Sequence, residues 1–256
     1  MRGKNEWFIM RTSFDYAAEF YDKTRNLPKQ VMEQLVDTMI SELEGYTNVL
    51  DAGVGTGRIA KPLQDVGLKI VGVDIASKMI GKAEEKGIDN LILGDVRSLP
   101  FCDNSFDATM SVHLLHLICE WKIALQEICR VTEKIMISVD HVRKHPLREA
   151  YRRLLREFGF ESHYPGKGEW ELKNLVKPKQ VSVASFERNA DERLEYMSQR
   201  AYSSQWEIPE EVNREVVREL KQRFGGKKFL EELHILVWEI NELESCLSIT
   251  AAPNMP

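Results

Sequence analysis

The sequence predicts an α/β fold: a mostly parallel sheet of about seven strands flanked by helices. Three observations predict it. Short apolar runs alternate with amphipathic segments between residues 46 and 141, and such alternation builds parallel sheets through right-handed crossovers. The first run, "VLDAGVGTGRIA" (Val49 to Ala60), breaks into glycines at 53, 55 and 57, a strand-to-helix turn that brings backbone close to a ligand. Three successive runs end near an aspartate, Asp51, Asp74 and Asp95, at the strand ends where open parallel sheets bind their ligands.

The elements follow in order. Phe14 to Asp22 reads as a short helix capped by Ser13. Pro28 opens a second helix, with Val31, Leu35, Val36, Met39 and Leu43 at helical spacing and Gly45 as its stop. "TNVLDAG" is a strand, Arg58 to Asp65 a helix, "KIVGVDI" a strand and Ser77 to Lys86 a helix. "NLILGDV" and "FDATMSVHLL" are strands, Trp121 to Val131 is a helix, and "KIMISVDH" is a fifth strand ending at Asp140. A basic amphipathic helix follows from His141 to Phe160, then a loop-rich stretch with one short helix. "VSVASFE" alternates as a strand, two helices come next, and "ELHILVWEI" is the last strand. This divides the chain into a helical lid (1–45), a ligand-binding core (46–141), a helical and loop cap insertion (142–180), a return to the core (181–246) and a flexible tail (247–256).

Composition narrows the function. The chain has 256 residues, 43% hydrophobic and 29% charged, with a net charge of −5. That balance suits a globular protein with a real core and argues against nucleic acid as a partner. Cys102, Cys119, Cys129 and Cys246 show no metal-ligand spacing, so no metal is expected, and reduced thiols point to the cytoplasm. "MRGKNEWFIM" lacks a signal-peptide core, and no apolar stretch is long enough to span a membrane.

Two cofactor classes compete for the glycine turn. "GTGRIA" formally fits a dinucleotide fingerprint, but that register puts Asp51 and Gly53 ahead of the turn and explains neither Asp95 nor the sequence after it. S-adenosylmethionine has no phosphate; it offers an ammonium, a carboxylate, a ribose diol and an adenine. The turn suits the amino-acid end, Asp74 the diol and Asp95 the adenine amino group. "VLDAGVGTGRIA", "VGVDIASKMI" and "GDVRSLPFCDNSFDAT" together resemble the class I S-adenosylmethionine-dependent methyltransferases, most of all the branch of the ubiquinone and menaquinone C-methyltransferases. The resemblance covers residues 14 to 140 and is thinner afterwards. It implies a Rossmann-like sheet with an antiparallel last strand. The family's Lys-Pro-Gly-Gly turn before strand five is replaced here by "TEKIMIS".

The resemblance also implies roles. Gly53, Gly55 and Gly57, with Ala52, pass close to the methionine part, and Asp51 orients that turn. Asp74 takes the ribose hydroxyls. Ile75 and Met79 pack on adenine, Asp95 takes its amino group, and the N–H of Val96 faces the ring. Ser111 lies beside the sulfonium. Tyr16, Tyr21 and Arg25 match an N-terminal lid over the cofactor. Each has a plainer structural alternative: turn glycines, acids acting as helix caps, aromatics packing on a helix face.

His113 is a candidate base, with a satisfied structural histidine as the alternative. His116, Tyr164, Trp170, Tyr202 and Trp206 are candidate walls of an acceptor pocket. Residues 141 to 180 carry a local positive charge from Arg143, Lys144, Arg148, Arg152, Arg153, Arg156 and four lysines. That is either a solvated helix face or a cap that attracts an anion. The expected activity is methyl transfer by in-line displacement to a small molecule, anionic or aromatic. The alternatives are methylation of tRNA or protein through the basic segment, and a non-catalytic cofactor binder.

Overall fold

The computed structural model describes residues 14–143, 146–161 and 166–251. Seven strands form one sheet in the order β3-β2-β1-β4-β5-β7-β6. They are β1 (Asn48–Ala52), β2 (Lys69–Asp74), β3 (Asn90–Leu93), β4 (Phe106–Met110), β5 (Thr132–Arg143), β6 (Lys179–Asn189) and β7 (Lys228–Glu239). β1 through β5 pair in parallel, and β7 runs antiparallel to both β5 and β6.

The chain enters with a helical turn at 14–17 and α1 (Tyr21–Thr24), where one continuous helix is expected, then α2 (Lys29–Glu42). Ser13 lies outside the described residues. Between strands lie α3 (Ala60–Asp65), α4 (Ser77–Glu85) and α5 (Trp121–Val131). After β5 come α6 (Leu147–Glu157), α7 (Gly168–Leu175), α8 (Ala190–Ser198) and α9 (Glu210–Phe224); α10 (Ile240–Ala251) closes the described chain.

Successive residues of a strand face opposite sides of a sheet, so the apolar runs build two cores. Val49, Ile70, Ile135, Ile137 and Ile235 pack with Leu35, Met39 and Leu63 on one side. Leu50, Val73, Met136 and Trp238 pack with Leu125, Ile128 and Leu243 on the other. These strands read as continuous hydrophobic runs because both faces are covered.

The structure moves several boundaries. β4 stops at Met110, and a 3₁₀ turn (Leu115–Leu117) replaces the expected end of that strand. β5 continues past Asp140, which sits opposite His234 in the ladder. Helix α5 passes straight into β5 at Thr132, whose hydroxyl donates back to the Ile128 carbonyl at 2.6 Å. No separate turn is needed there, which accounts for the missing glycines.

The cap is drawn from two stretches of chain. Leu147, Tyr151, Leu154 and Leu155 of α6 bury against Leu194, Met197, Val216 and Leu220 of α8 and α9. Residues 190–224 therefore pack with the insertion and not with the returning core, because their apolar faces match that of α6. α7 instead lays Leu172 on the sheet's second core. Helix α10 runs past the expected tail boundary, and Leu247 packs on that core.

Candidate functional site

After β1 the chain turns through Gly53, Gly55 and Gly57 with φ of +81°, +56° and +72°, a left-handed region that favours glycine. The N–H groups of Gly53 and Val54 donate to the Val73 carbonyl at 2.8 and 3.0 Å. The N–H of Gly55 donates to Asp74 Oδ2 at 2.9 Å, while Asp74 Oδ1 accepts from the Ala76 N–H at 2.9 Å. One carboxylate thus ties the glycine turn to the start of α4. A Cβ at Gly57 would meet Ile88 Cδ1 at 2.1 Å, so the end of the Ile88 side chain would have to move. Gly55 is different: a Cβ there would have nothing within 4 Å, so this backbone faces open space above the strand ends.

The charges around the turn are poorly solvated. Asp51 is 4% exposed. Burial raises its pKa to about 7, with the negative charge of Asp74 adding to the rise and Arg58 opposing it. Burial also raises the Asp74 carboxyl against the pull of its backbone hydrogen bonds. Arg58, just beyond Gly57, is pushed below the usual arginine value by burial. Its Nε and Nη1 are covered and have no hydrogen-bond partner. Leaving a buried donor unmade costs about 1–3 kcal/mol. Ser111 Oγ is likewise buried without a partner, although its N–H donates to the Ile137 carbonyl at 2.8 Å.

The third acid is engaged. Asp95 accepts from Arg97 Nη2 at 2.7 Å and from the Arg97 N–H at 2.9 Å, and Arg97 continues to Glu120 at 2.6 Å. Val96 and Ala52 are buried in the core beside this turn. Met79 is fully buried with Ala76 beneath Ala17 and Ala18 of the lid, and Ile75 and Tyr21 pack at its edge. Two acids dock the lid. Asp15 accepts from the Lys78 N–H at 2.8 Å, at the N-terminus of α4. Asp22 bonds the Thr56 hydroxyl and the Lys86 ammonium.

Beyond the turn lie two adjoining chambers. The inner one, about 40 Å³, is enclosed by Arg25, Arg58, His141, Arg193 and Tyr196 over an apolar floor that includes Leu35 and Val139. The outer one, about 140 Å³, lies between the lid and the cap and includes Tyr21, His116, Arg148, Tyr151 and Arg152. Arg25, His113, Arg193 and Tyr202 line both. No Asp or Glu among the described residues lines either chamber. His113 has a φ of +56°, which is uncommon for a non-glycine residue. His116 is held by Glu169 at 3.0 Å. The Arg25 guanidinium stacks 4.6 Å from the centre of the Tyr202 ring.

Other expected positions lie elsewhere. Tyr16 is 68% exposed, its ring edge-on to Phe20 at 5.3 Å. The neighbouring Ala17 takes the buried side of that helical turn, and one residue is about a hundred degrees of rotation. Trp170 is 66% exposed because Leu172 holds the buried face of α7. Trp206 packs on Phe14 at 5.1 Å and donates to the Arg200 carbonyl, in the seam between lid and cap. Tyr164 lies outside the described residues.

Sequence reasoning missed Arg58, Arg193, His141 and the residue behind them. Glu231 is fully buried, with Nε2 of His141 at 2.7 Å, Nη2 of Arg193 at 2.9 Å and Nε of Arg188 at 3.2 Å. The available signal was an acid on the core-facing side of β7, in step with Leu233, Ile235 and Val237.

Residues 50–135 match the family model described as "Methyltransferase domain". That stretch, about a third of the chain, is similar to methyltransferase domains. The chain is 34% identical over 152 residues to the demethylmenaquinone methyltransferase of Renibacterium salmoninarum, covering 56% of this chain and 63% of that one. It is 32% identical over 121 residues to the malonyl-[acyl-carrier protein] O-methyltransferase of Yersinia pestis, covering 47% and 45%. The chain thus spans less than two thirds of these curated relatives. The magnesium protoporphyrin IX methyltransferase of Synechocystis shares the fold, with a TM-score of 0.54 at 16% identity over 90% of this chain and 98% of that one. Among the described residues no helix is long and apolar enough to cross a membrane.

Proposed function

We propose that this chain transfers a methyl group from S-adenosylmethionine to a small-molecule acceptor that is anionic or aromatic. The observation that carries this reading is the open face of Gly55 between Asp51 and Asp74, beside a cleft lined by arginine and tyrosine.

The residues present fit the cofactor. Its ammonium and sulfonium are positive, and Asp51 and Asp74 place two carboxyl groups at the turn. Asp74 spends one lone pair of each oxygen on the backbone, and an ionised carboxylate has about four such sites, so it can still accept from a ribose diol. Ser111 Oγ supplies a buried polar atom with no protein partner. Asp95 can accept a further bond beside Arg97.

When bound, the sulfonium supplies an already activated methyl group. The protein's part is to position and to exclude water. The turn fixes the donor, the lid covers it through Asp15 and Asp22, and the cleft holds the acceptor in line; such alignment is worth on the order of 7–11 kcal/mol in favourable cases. His113 lines both chambers, which supports it as the group that would take a proton from an acceptor carrying one. The basic segment supports a small-molecule reading over tRNA or protein. Lys173 and Lys179 are paired with Asp140 and Glu42, and Arg148 and Arg152 turn into the outer chamber.

Thermal-shift titration with S-adenosylhomocysteine and with NAD tests the cofactor. Stabilisation by the first alone is expected, about 2.7 kcal/mol at a hundredfold excess over Kd. Methyl transfer is then measured with radiolabelled S-adenosylmethionine, starting with the acceptors of the two relatives, demethylmenaquinone and malonyl-[acyl-carrier protein]. Stabilisation by NAD instead would remove the proposal.

A further inference from the structure

We infer that Arg148 and Arg152, side by side on α6, recognise an anionic group carried by the methyl acceptor in the outer chamber. The inference rests on the proposed methyl transfer and names the acceptor's class: an apolar or aromatic body with an anion, a carboxylate or a phosphate, remote from the atom that is methylated.

Four observations carry it. First, α6 turns two stripes to the chamber. Leu147 and Tyr151 make an apolar one, and Arg148 and Arg152, each one residue further on, make a cationic one beside it. Residues four apart on a helix are neighbours, so both guanidiniums can meet one anion, and their forks match carboxylate and phosphate bidentately. Second, the chamber is electropositive. Arg25 lines it too, Arg193 has its counter-charge in Glu231, and no Asp or Glu among the described residues lines it. A cleft lined by one sign of charge draws in the opposite ion. Third, the wall is firm and the space is of the right size. Leu154 and Leu155 bury α6 against α8 and α9, and the Tyr151 hydroxyl donates to Asn213 Oδ1 at 2.8 Å. The chamber's volume of about 140 Å³ suits an aromatic ring, since a cavity of about 150 Å³ holds benzene. Fourth, the pair stands apart from the glycine turn. Arg58 and Ile59, after the turn, and Val112, after β4, line only the inner of the two chambers, whereas Arg148 and Arg152 line only the outer. The turn side is left to the amino-acid end of the cofactor, and the cap wall to the acceptor. His113 lies on the seam between the chambers, so the reacting atom belongs there and the anion lies at the cap. Both arginines also fall outside residues 50–135, beyond the matched family stretch.

Benzoate and phenyl phosphate are the anionic probes, and benzamide is the uncharged one. Each is titrated calorimetrically into the free protein and into protein saturated with S-adenosylhomocysteine, which fills the cofactor's own carboxylate site. The proteins are wild type, Arg148→Met, Arg152→Met and, as a control, Arg153→Met; Arg153 is exposed on the same helix and lines neither chamber. Arg148 is exposed as well, so its variant keeps the test open if Arg152→Met fails to fold. We expect at least one anion to bind the saturated wild type, and benzamide to bind tenfold or more weakly. The stronger anion tells a carboxylic acid from a phosphate ester. Its affinity should fall tenfold or more in Arg148→Met and Arg152→Met and less than threefold in Arg153→Met, while S-adenosylhomocysteine affinity changes less than threefold throughout. No anion binding to the saturated wild type, equal binding of benzamide, or an equal loss in Arg153→Met overturns the inference. So does a tenfold loss of S-adenosylhomocysteine affinity in Arg148→Met or Arg152→Met, because those arginines would then hold the cofactor. If an anion binds the free protein through both arginines but S-adenosylhomocysteine binds nowhere, the anion site stands and the methyltransferase reading falls.

Discussion

The backbone N–H of Gly55 and the carboxylate of Asp74 lie 2.9 Å apart, in a hydrogen bond that fastens the glycine turn to the end of the neighbouring strand. The acid that would meet a ribose diol therefore also shapes the loop beneath the donor. Asp74→Ala removes both functions. Losing charged hydrogen bonds worth roughly 1.5–3 kcal/mol should raise the Kd for S-adenosylhomocysteine by about ten- to a hundredfold. Asp74→Asn keeps an oxygen for Gly55 and should show the smaller loss. Calorimetry on both variants separates the roles. An unchanged Kd in folded Asp74→Ala would leave Asp74 as a turn residue alone.

Asp51 gives the turn a pH dependence. Its carboxyl is raised from 3.8 to about 7 by burial and by Asp74, against the pull of Arg58. The folded state thus keeps a proton that the unfolded chain has already lost. The favourable contribution is full below the unfolded value and is lost as pH rises toward 7, so stability without cofactor should fall across that window. The size is on the order of 2–4 kcal/mol. Asp51→Asn cannot lose the proton and should flatten the slope. Urea midpoints at about pH 5 and pH 7.5 check this; parallel curves for the two proteins would refute it.

What was legible in the sequence follows from how each signal arises. The strands near the turn, β1 and β2, announce themselves because both faces are buried, and the turn glycines because no other residue takes those backbone angles freely. Junctions without punctuation were hidden. Val131 passes directly into Thr132, and Glu239 directly into Ile240, with neither glycine nor proline to mark the change, so α10 went unseen. Side-chain direction was harder. Tyr16 and Tyr21 look equivalent in "FDYAAEFYD", yet one faces solvent and the other the outer chamber. The acceptor cleft was least legible of all. Arg25, Arg58 and Arg193 converge from segments far apart in the chain, and only the folded sheet brings them together.

Of these three arginines, Arg193 has its counter-charge in Glu231. Its carboxylate is buried among His141, Arg188 and Arg193. Removing one partner of a buried ionic group leaves the others uncompensated, typically at about 3–5 kcal/mol. Glu231→Gln should therefore lower the denaturation midpoint strongly, and adding Arg188→Met should restore part of the loss. A Gln variant as stable as wild type would show that water screens the cluster.

The lid supplies the last prediction. Its aromatic helix is not left hanging over the cleft: Asp15 accepts from the Lys78 N–H at the start of α4, and Asp22 bonds Thr56 and Lys86. A carboxylate at a helix N-terminus gains from the unpaired amides and the helix dipole. Ala17 and Ala18 add apolar burial against Ala76 and Met79. Together these dock residues 14–25 before any ligand arrives. Yet Lys86 and Asp22 are both substantially exposed, and such pairs contribute only about 0–1 kcal/mol. The docking is thus weak enough to open for exchange of ligands. Asp15→Ala should raise amide exchange across residues 14–25 severalfold in the free protein, and saturating S-adenosylhomocysteine should recover most of the protection. Asp15→Asn, which keeps an acceptor oxygen without the charge, should fall between. If Asp15→Ala leaves exchange in this segment unchanged, the alanine contacts hold the lid and the carboxylate is incidental.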